Sequence, residues 1–253
     1  MQDVYLNENF FAIAIQTAIW LPSLIMAVIT TINAFKAEGR LRRISIYFAL
    51  FSWAMSITYI SWTARALFFS AEDGPDAWYI LWQFAYGPGV LAFFFLALWS
   101  LSLVNPQLLE DRWWIQYVLL IPWIAVALDI TVITTAQNAV TVQFANITDI
   151  QPDTVLTLFA TLAVLLYTGI PIAVFLRYLL ASENKGTTNY RKILIIEIGL
   201  ILFALGSLVD ASKLPNIEAA LANNILFLSR TFMASGIILM FLGLKLPKRF
   251  HKE

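Results

Sequence analysis

The sequence predicts an all-α polytopic membrane protein, with seven transmembrane helices forming one domain over residues 1–253. Three observations predict it. The chain is 60% hydrophobic and only 13% charged, with a mean hydropathy of +0.76, well outside the range of soluble domains. Seven apolar runs each reach the roughly 20 residues needed to cross about 30 Å of hydrocarbon. Lysine and arginine concentrate in alternate connections, the pattern of a chain that crosses a bilayer repeatedly.

The runs lie near 10–35, 44–70, 78–104, 114–135, 154–181, 192–212 and 223–245. Before the first, "MQDVYLNENFF" is acidic and lacks a small-residue cleavage site behind a short core, so the first span is expected to stay in the mature protein. Lys36, Arg40, Arg42 and Arg43 fill the first connection. The second span ends before "DGPD" (73–76), a turn signal, and Trp78 and Tyr79 anchor the third at the interface. Within the third, Gly87, Pro88 and Gly89 are consecutive, which predicts a kink or local unwinding.

"NPQLLED" (105–111) opens with a stop signal, and Trp113 and Trp114 anchor the fourth span. Pro122 and Pro171 predict bends in the fourth and fifth spans, leaving room for a cavity. Between them, the loop at about 136–153 contains the sequon "NIT" (146–148), which matters only in a eukaryotic secretory pathway. Glu197 lies about four residues into the sixth span and is expected to snorkel or to pair with Lys192 or Arg191. "KLPN" (213–216) closes that span. The seventh contains "NNILFLSRTFMASG", with Arg230 in its middle.

Of 16 basic residues, 13 fall on one side: the first-connection four, Arg112, then Arg177, Lys185, Arg191 and Lys192, then Lys245, Lys248, Arg249 and Lys252. The opposite side is acidic, with Asp3, Glu8, Glu72, Asp73, Asp76, Asp149, Asp153 and Glu218. The positive side is expected to be cytoplasmic, placing the N-terminus outside and the C-terminus inside, in a plasma membrane.

Charges inside hydrocarbon are costly and face a partner or an aqueous cavity. At about 1.5 Å per residue, Arg230 lies roughly 9 Å below the outer surface and Asp129 at a similar depth, with Asp210 and Arg65 about one turn from that boundary. Four helices thus bring two cations and two anions to the outer third. Gln16, Tyr59, Trp62, Trp82, Gln83 and Tyr86 share that level. One reading is a structural ion-pair lattice; the other is an outward-facing ligand cavity. The expected pairings are Arg230 with Asp210 and Arg65 with Asp129.

No cysteine and a single histidine, His251, exclude disulfides, thiolate metal sites, bis-histidine haem and Ser-His-Asp catalysis. The mid-depth stretches "IEIGLILFALGS" and "VLAFFFLALW" lack the polar groups of a proton relay. No metal or cofactor, no nucleic acid and no enzymatic activity are expected. No internal repeat marks an inverted-repeat transporter.

Seven spans with an outside N-terminus and a short basic tail resemble microbial rhodopsins and the seven-helix sensor modules of bacterial receptors. The resemblance is one of topology, a rhodopsin-like bundle without a retinal lysine. A Schiff base needs a lysine in the seventh span and a counterion in the third, and residues 223–243 hold no lysine while 78–104 hold no carboxylate.

The expected function is that of a receptor-like sensory protein that binds a small ligand in the outer half and signals through a membrane or cytoplasmic partner at the basic inner loops. The tail after Leu246 is too short for an output module. The alternative is an accessory subunit of a larger membrane complex, packing through its aromatic third span. A small-molecule transporter, which would need a second polar cluster near the cytoplasm, carries less weight.

Overall fold

The computed structural model describes residues 2–68, 75–104, 106–133, 141–144, 147–150, 154–181, 185, 187–211 and 219–245. Its helices are α1 (Gln2–Lys36), α2 (Gly39–Phe68), α3 (Pro75–Val104), α4 (Pro106–Asp111), α5 (Trp114–Leu128), α6 (Thr154–Leu180), α7 (Thr188–Ala211) and α8 (Ala219–Lys245). All except the short α4 are long and apolar enough to cross a membrane, as the seven runs required. The turn before Pro75, the "KLPN" stop at 213–216, Asn146 of the sequon and the tail past Lys245 lie outside the described residues.

Three short elements were not expected. Pro106 lacks the donor to continue α3 but suits the first position of a helix, so "PQLLED" forms α4 instead of an open loop. The end of the fourth span widens into a π-helical turn, Asp129–Ile133. In the long loop, β1 (Thr141–Phe144) pairs antiparallel with β2 (Ile147–Ile150), Thr141 opposite Ile150 and Phe144 opposite Ile147. Five of these eight residues are β-branched, which favours the pleated conformation.

Helices α1, α2, α3, α6, α7 and α8 pack in sequence, and α8 returns to α1 to close a ring. Helix α5 lies outside it, against α3 and α6. On α1, Leu21, Ile25, Val28 and Ile32 recur every three or four residues and form an exposed apolar stripe suited to lipid. Several interior hydroxyls are satisfied within their own helices: Ser52, Ser56, Thr168 and Ser207 each donate to the carbonyl four residues earlier at 2.6–2.8 Å.

Helix α3 is continuous through Gly87, Pro88 and Gly89, so the expected local unwinding does not occur. The glycines serve close packing: a Cβ on Gly87 would lie 3.2 Å from Ile130, and one on Gly89 would lie 3.3 Å from Thr58. The aromatic run that follows is interior. Phe93 packs on Phe203, Phe94 on Tyr167, and Trp99 on both Phe48 and Phe175, forming a dry aromatic layer across the middle of the bundle.

Candidate functional site

The site begins with glycine spacing. Gly199 and Gly206 lie seven residues apart on α7, as do Gly236 and Gly243 on α8, so each pair falls on one helix face. A Cβ on Gly236 would stand 2.5 Å from the Gly199 carbonyl, and one on Gly206 would run into the Ser229 carbonyl and the Met233 backbone. The two helices therefore touch backbone to backbone, the packing that small residues permit. One turn beyond Gly206 stands Asp210, and next to Ser229 stands Arg230. Their side chains meet at 2.9 Å, the first of the two expected pairings.

Helix α2 contributes the second wall. Met55, Thr58, Tyr59 and Trp62 follow the three-and-four spacing of one helix face. The Arg230 guanidinium lies 5.0 Å from the Tyr59 ring centroid and 5.3 Å from that of Trp62. Trp62 also carries Arg65, at 3.9 Å, and Trp78 flanks the same guanidinium at 4.7 Å. One indole thus serves two buried arginines from two helices, each contact contributing about 0.5–2 kcal/mol. Tyr59 donates its hydroxyl to the Met233 sulfur at 3.3 Å, joining α2 to α8.

Between these walls is a cavity of about 80 Å³. Arg230 and Asp210 bound it with the rings of Tyr59, Trp62 and Tyr86, and Met55, Val90, Phe93, Val164 and Met233 supply apolar wall. Thr58 also lines it, and its hydroxyl is buried with no hydrogen-bond partner among the described residues. Phe93 lines the cavity and also packs on Phe203 in the aromatic layer.

The other expected residues divide into supports. Gln16 is buried and accepts from the Thr63 hydroxyl at 3.2 Å, tying α1 to α2 one residue after Trp62. Trp82 is fully buried between Tyr79 and Tyr86, at 5.6 and 5.4 Å between centroids, and so holds Tyr86 at the cavity. Gln83 and Tyr79 donate to the Ile130 carbonyl at 2.7 and 3.0 Å, bracing the π turn that Asp129 opens. Asp129 is buried there, outside the cavity lining.

Residue spacing could have found more of the lining. Met55 and Thr58 fall seven and four residues before Trp62, Phe93 seven after Tyr86, Ser207 three before Asp210 and Met233 three after Arg230. Ala160 and Val164 were not singled out either, although Thr157 falls three residues before Ala160 and the buried Thr168 four after Val164, a spacing that marks the inward face of α6.

Glu197 does not snorkel or pair as expected. It is only 3% exposed, and neither carboxyl oxygen has a hydrogen-bond partner among the described residues. Helical geometry explains the failure: Lys192 and Arg191 are five and six residues earlier, about 120–140° around the axis at about 100° per residue.

The arrangement can bind a small molecule with a charged end beneath Arg230 and Asp210 and an apolar body below. It contains no paired nucleophile and base. No protein-family model matches the chain, and no curated protein matches it.

Proposed function

We propose that this chain is a receptor-like sensory membrane protein, without catalytic activity, that binds a small ligand in the cavity between α2, α3, α6, α7 and α8. The observation that carries the reading is the union, in one cavity, of an ion pair with a buried arginine, hydrogen-bonding aromatic rings and an apolar interior. Such a combination is the chemistry of small-molecule sites. The cavity occupies the outer half in a plasma membrane, with the N-terminus outside and the C-terminus inside, in a rhodopsin-like bundle that uses no retinal. Ligand binding shifts α7 against α8, and a partner at the basic inner connections reads the shift.

The accessory-subunit alternative relied on the aromatic third span as an outward surface, and of that run Phe93, Phe94 and Trp99 are buried while Phe95 is partly buried. The transporter reading finds Glu197 buried by itself on the far side of the aromatic layer.

Ala160→Leu, which fills the cavity, tests the reading. A panel of four-carbon probes (butanoate, butylamine, butanol) is added to the purified protein, and the melting temperature is followed. Stabilisation of the wild type that is absent in Ala160→Leu supports a ligand site. No stabilisation by any probe, or an equal effect in both proteins, leaves the ion pair a structural lattice.

A further inference from the structure

We infer that the ligand is a short aliphatic monocarboxylate, and that its carboxylate displaces Asp210 from Arg230. The inference rests on the cavity being a ligand site and adds the sign of charge, the size and the exchange mechanism.

The two members of the ion pair are not equivalent. The Arg230 side chain is 5% exposed and that of Asp210 is 22% exposed. A buried cation left without an anion carries a desolvation cost that a partly hydrated carboxylate avoids. A ligand amine would have to draw Asp210 away and strand Arg230. A ligand carboxylate does the reverse: Arg230 keeps an anion, and Asp210 turns to water.

Arginine chemistry favours the same exchange. Its planar fork takes a carboxylate through two parallel hydrogen bonds, and the Tyr59 and Trp62 rings fix its position. The remaining lining is chiefly hydrocarbon, which suits an alkyl chain and repels a second charge.

Size limits the chain. An engineered cavity of about 150 Å³ accommodates benzene, so about 80 Å³ suits roughly two to four carbons rather than a ring or a lipid tail.

The experiment compares the full-length wild type, Asp210→Asn, Arg230→Gln and Ala160→Leu with butanoate, butylamine and butanol, reading melting temperature against probe concentration. Butanoate is expected to stabilise the wild type and to reach half-effect at about tenfold lower concentration in Asp210→Asn, where the Asp210 carboxylate no longer competes. Arg230→Gln is expected to lose the butanoate effect. If Asp210→Asn does not accumulate, wild type against Arg230→Gln decides.

Stabilisation by butylamine or butanol at least equal to that by butanoate, still abolished by Ala160→Leu, overturns the carboxylate inference and leaves the ligand cavity standing. A butanoate effect that persists in Arg230→Gln also overturns it. No effect of any probe overturns both.

Discussion

Gly206 lies against the Ser229 carbonyl, and this backbone contact between α7 and α8 sets Asp210 within 2.9 Å of Arg230. The ion pair therefore depends on residues that have no side chain to offer. Because α2 meets Arg230 through Tyr59 and Trp62, the same contact bears on how far α8 stands from α2 and how much space remains between them.

Glycine substitutions should separate this contact from ordinary helix propensity. Gly206→Ala and Gly236→Ala place a methyl group into the facing backbone and should each lower stability by about 1–3 kcal/mol. Gly169→Ala on α6 meets nothing within 4 Å and should be neutral or gain up to about 1 kcal/mol. Thermal melts of the three variants in one detergent check the ranking.

The ion pair should respond asymmetrically to removal of its two members. Asp210→Asn leaves the 5% exposed guanidinium without its anion and should cost about 3 kcal/mol, within the range for a broken buried pair. Arg230→Gln leaves a 22% exposed carboxylate that water can reach and should cost about half as much. Equal losses in denaturation experiments would contradict the asymmetry on which the exchange mechanism depends.

Glu197 should be a stability liability. Replacing it with methionine keeps the length and removes two buried oxygens that have no hydrogen-bond partner among the described residues, so Glu197→Met should stabilise the protein by about 1–3 kcal/mol. A melting temperature below that of the wild type would show that the carboxyl makes a favourable contact, such as one to a bound water.

The orientation can be checked cleanly because the chain contains no cysteine. Asp76→Cys and Lys185→Cys place single thiols at opposite ends of the bundle. A membrane-impermeant maleimide applied to intact cells should label the first and spare the second. The reverse pattern would invert the proposed topology.

Much of the architecture was legible because spans are set by length and hydropathy alone, and all seven survived into the fold. Arg230 with Asp210 was legible for a related reason: both lie in the outer third on sequence-adjacent helices, which bring opposite charges within reach of each other. Short-range geometry was harder to read. Gly87, Pro88 and Gly89 pointed to a kink or local unwinding, yet α3 stays helical through them, with Ile130 and Thr58 packed close to the two glycines. Glu197 looked able to snorkel or to pair with Lys192 or Arg191 because depth was counted without azimuth, and its angular distance from both decides its surroundings. The π turn at Asp129 has no periodic signature in sequence, so the bracing of Ile130 by Tyr79 and Gln83 could not be foreseen.

The most direct test of the account is a structure determined with butanoate present. The account predicts a carboxylate on the Arg230 guanidinium, the alkyl chain among Val90, Phe93 and Met233, and Asp210 turned away from the cavity. Asp210 still paired with Arg230 above an empty cavity, at a butanoate concentration that raises the melting temperature, would contradict it.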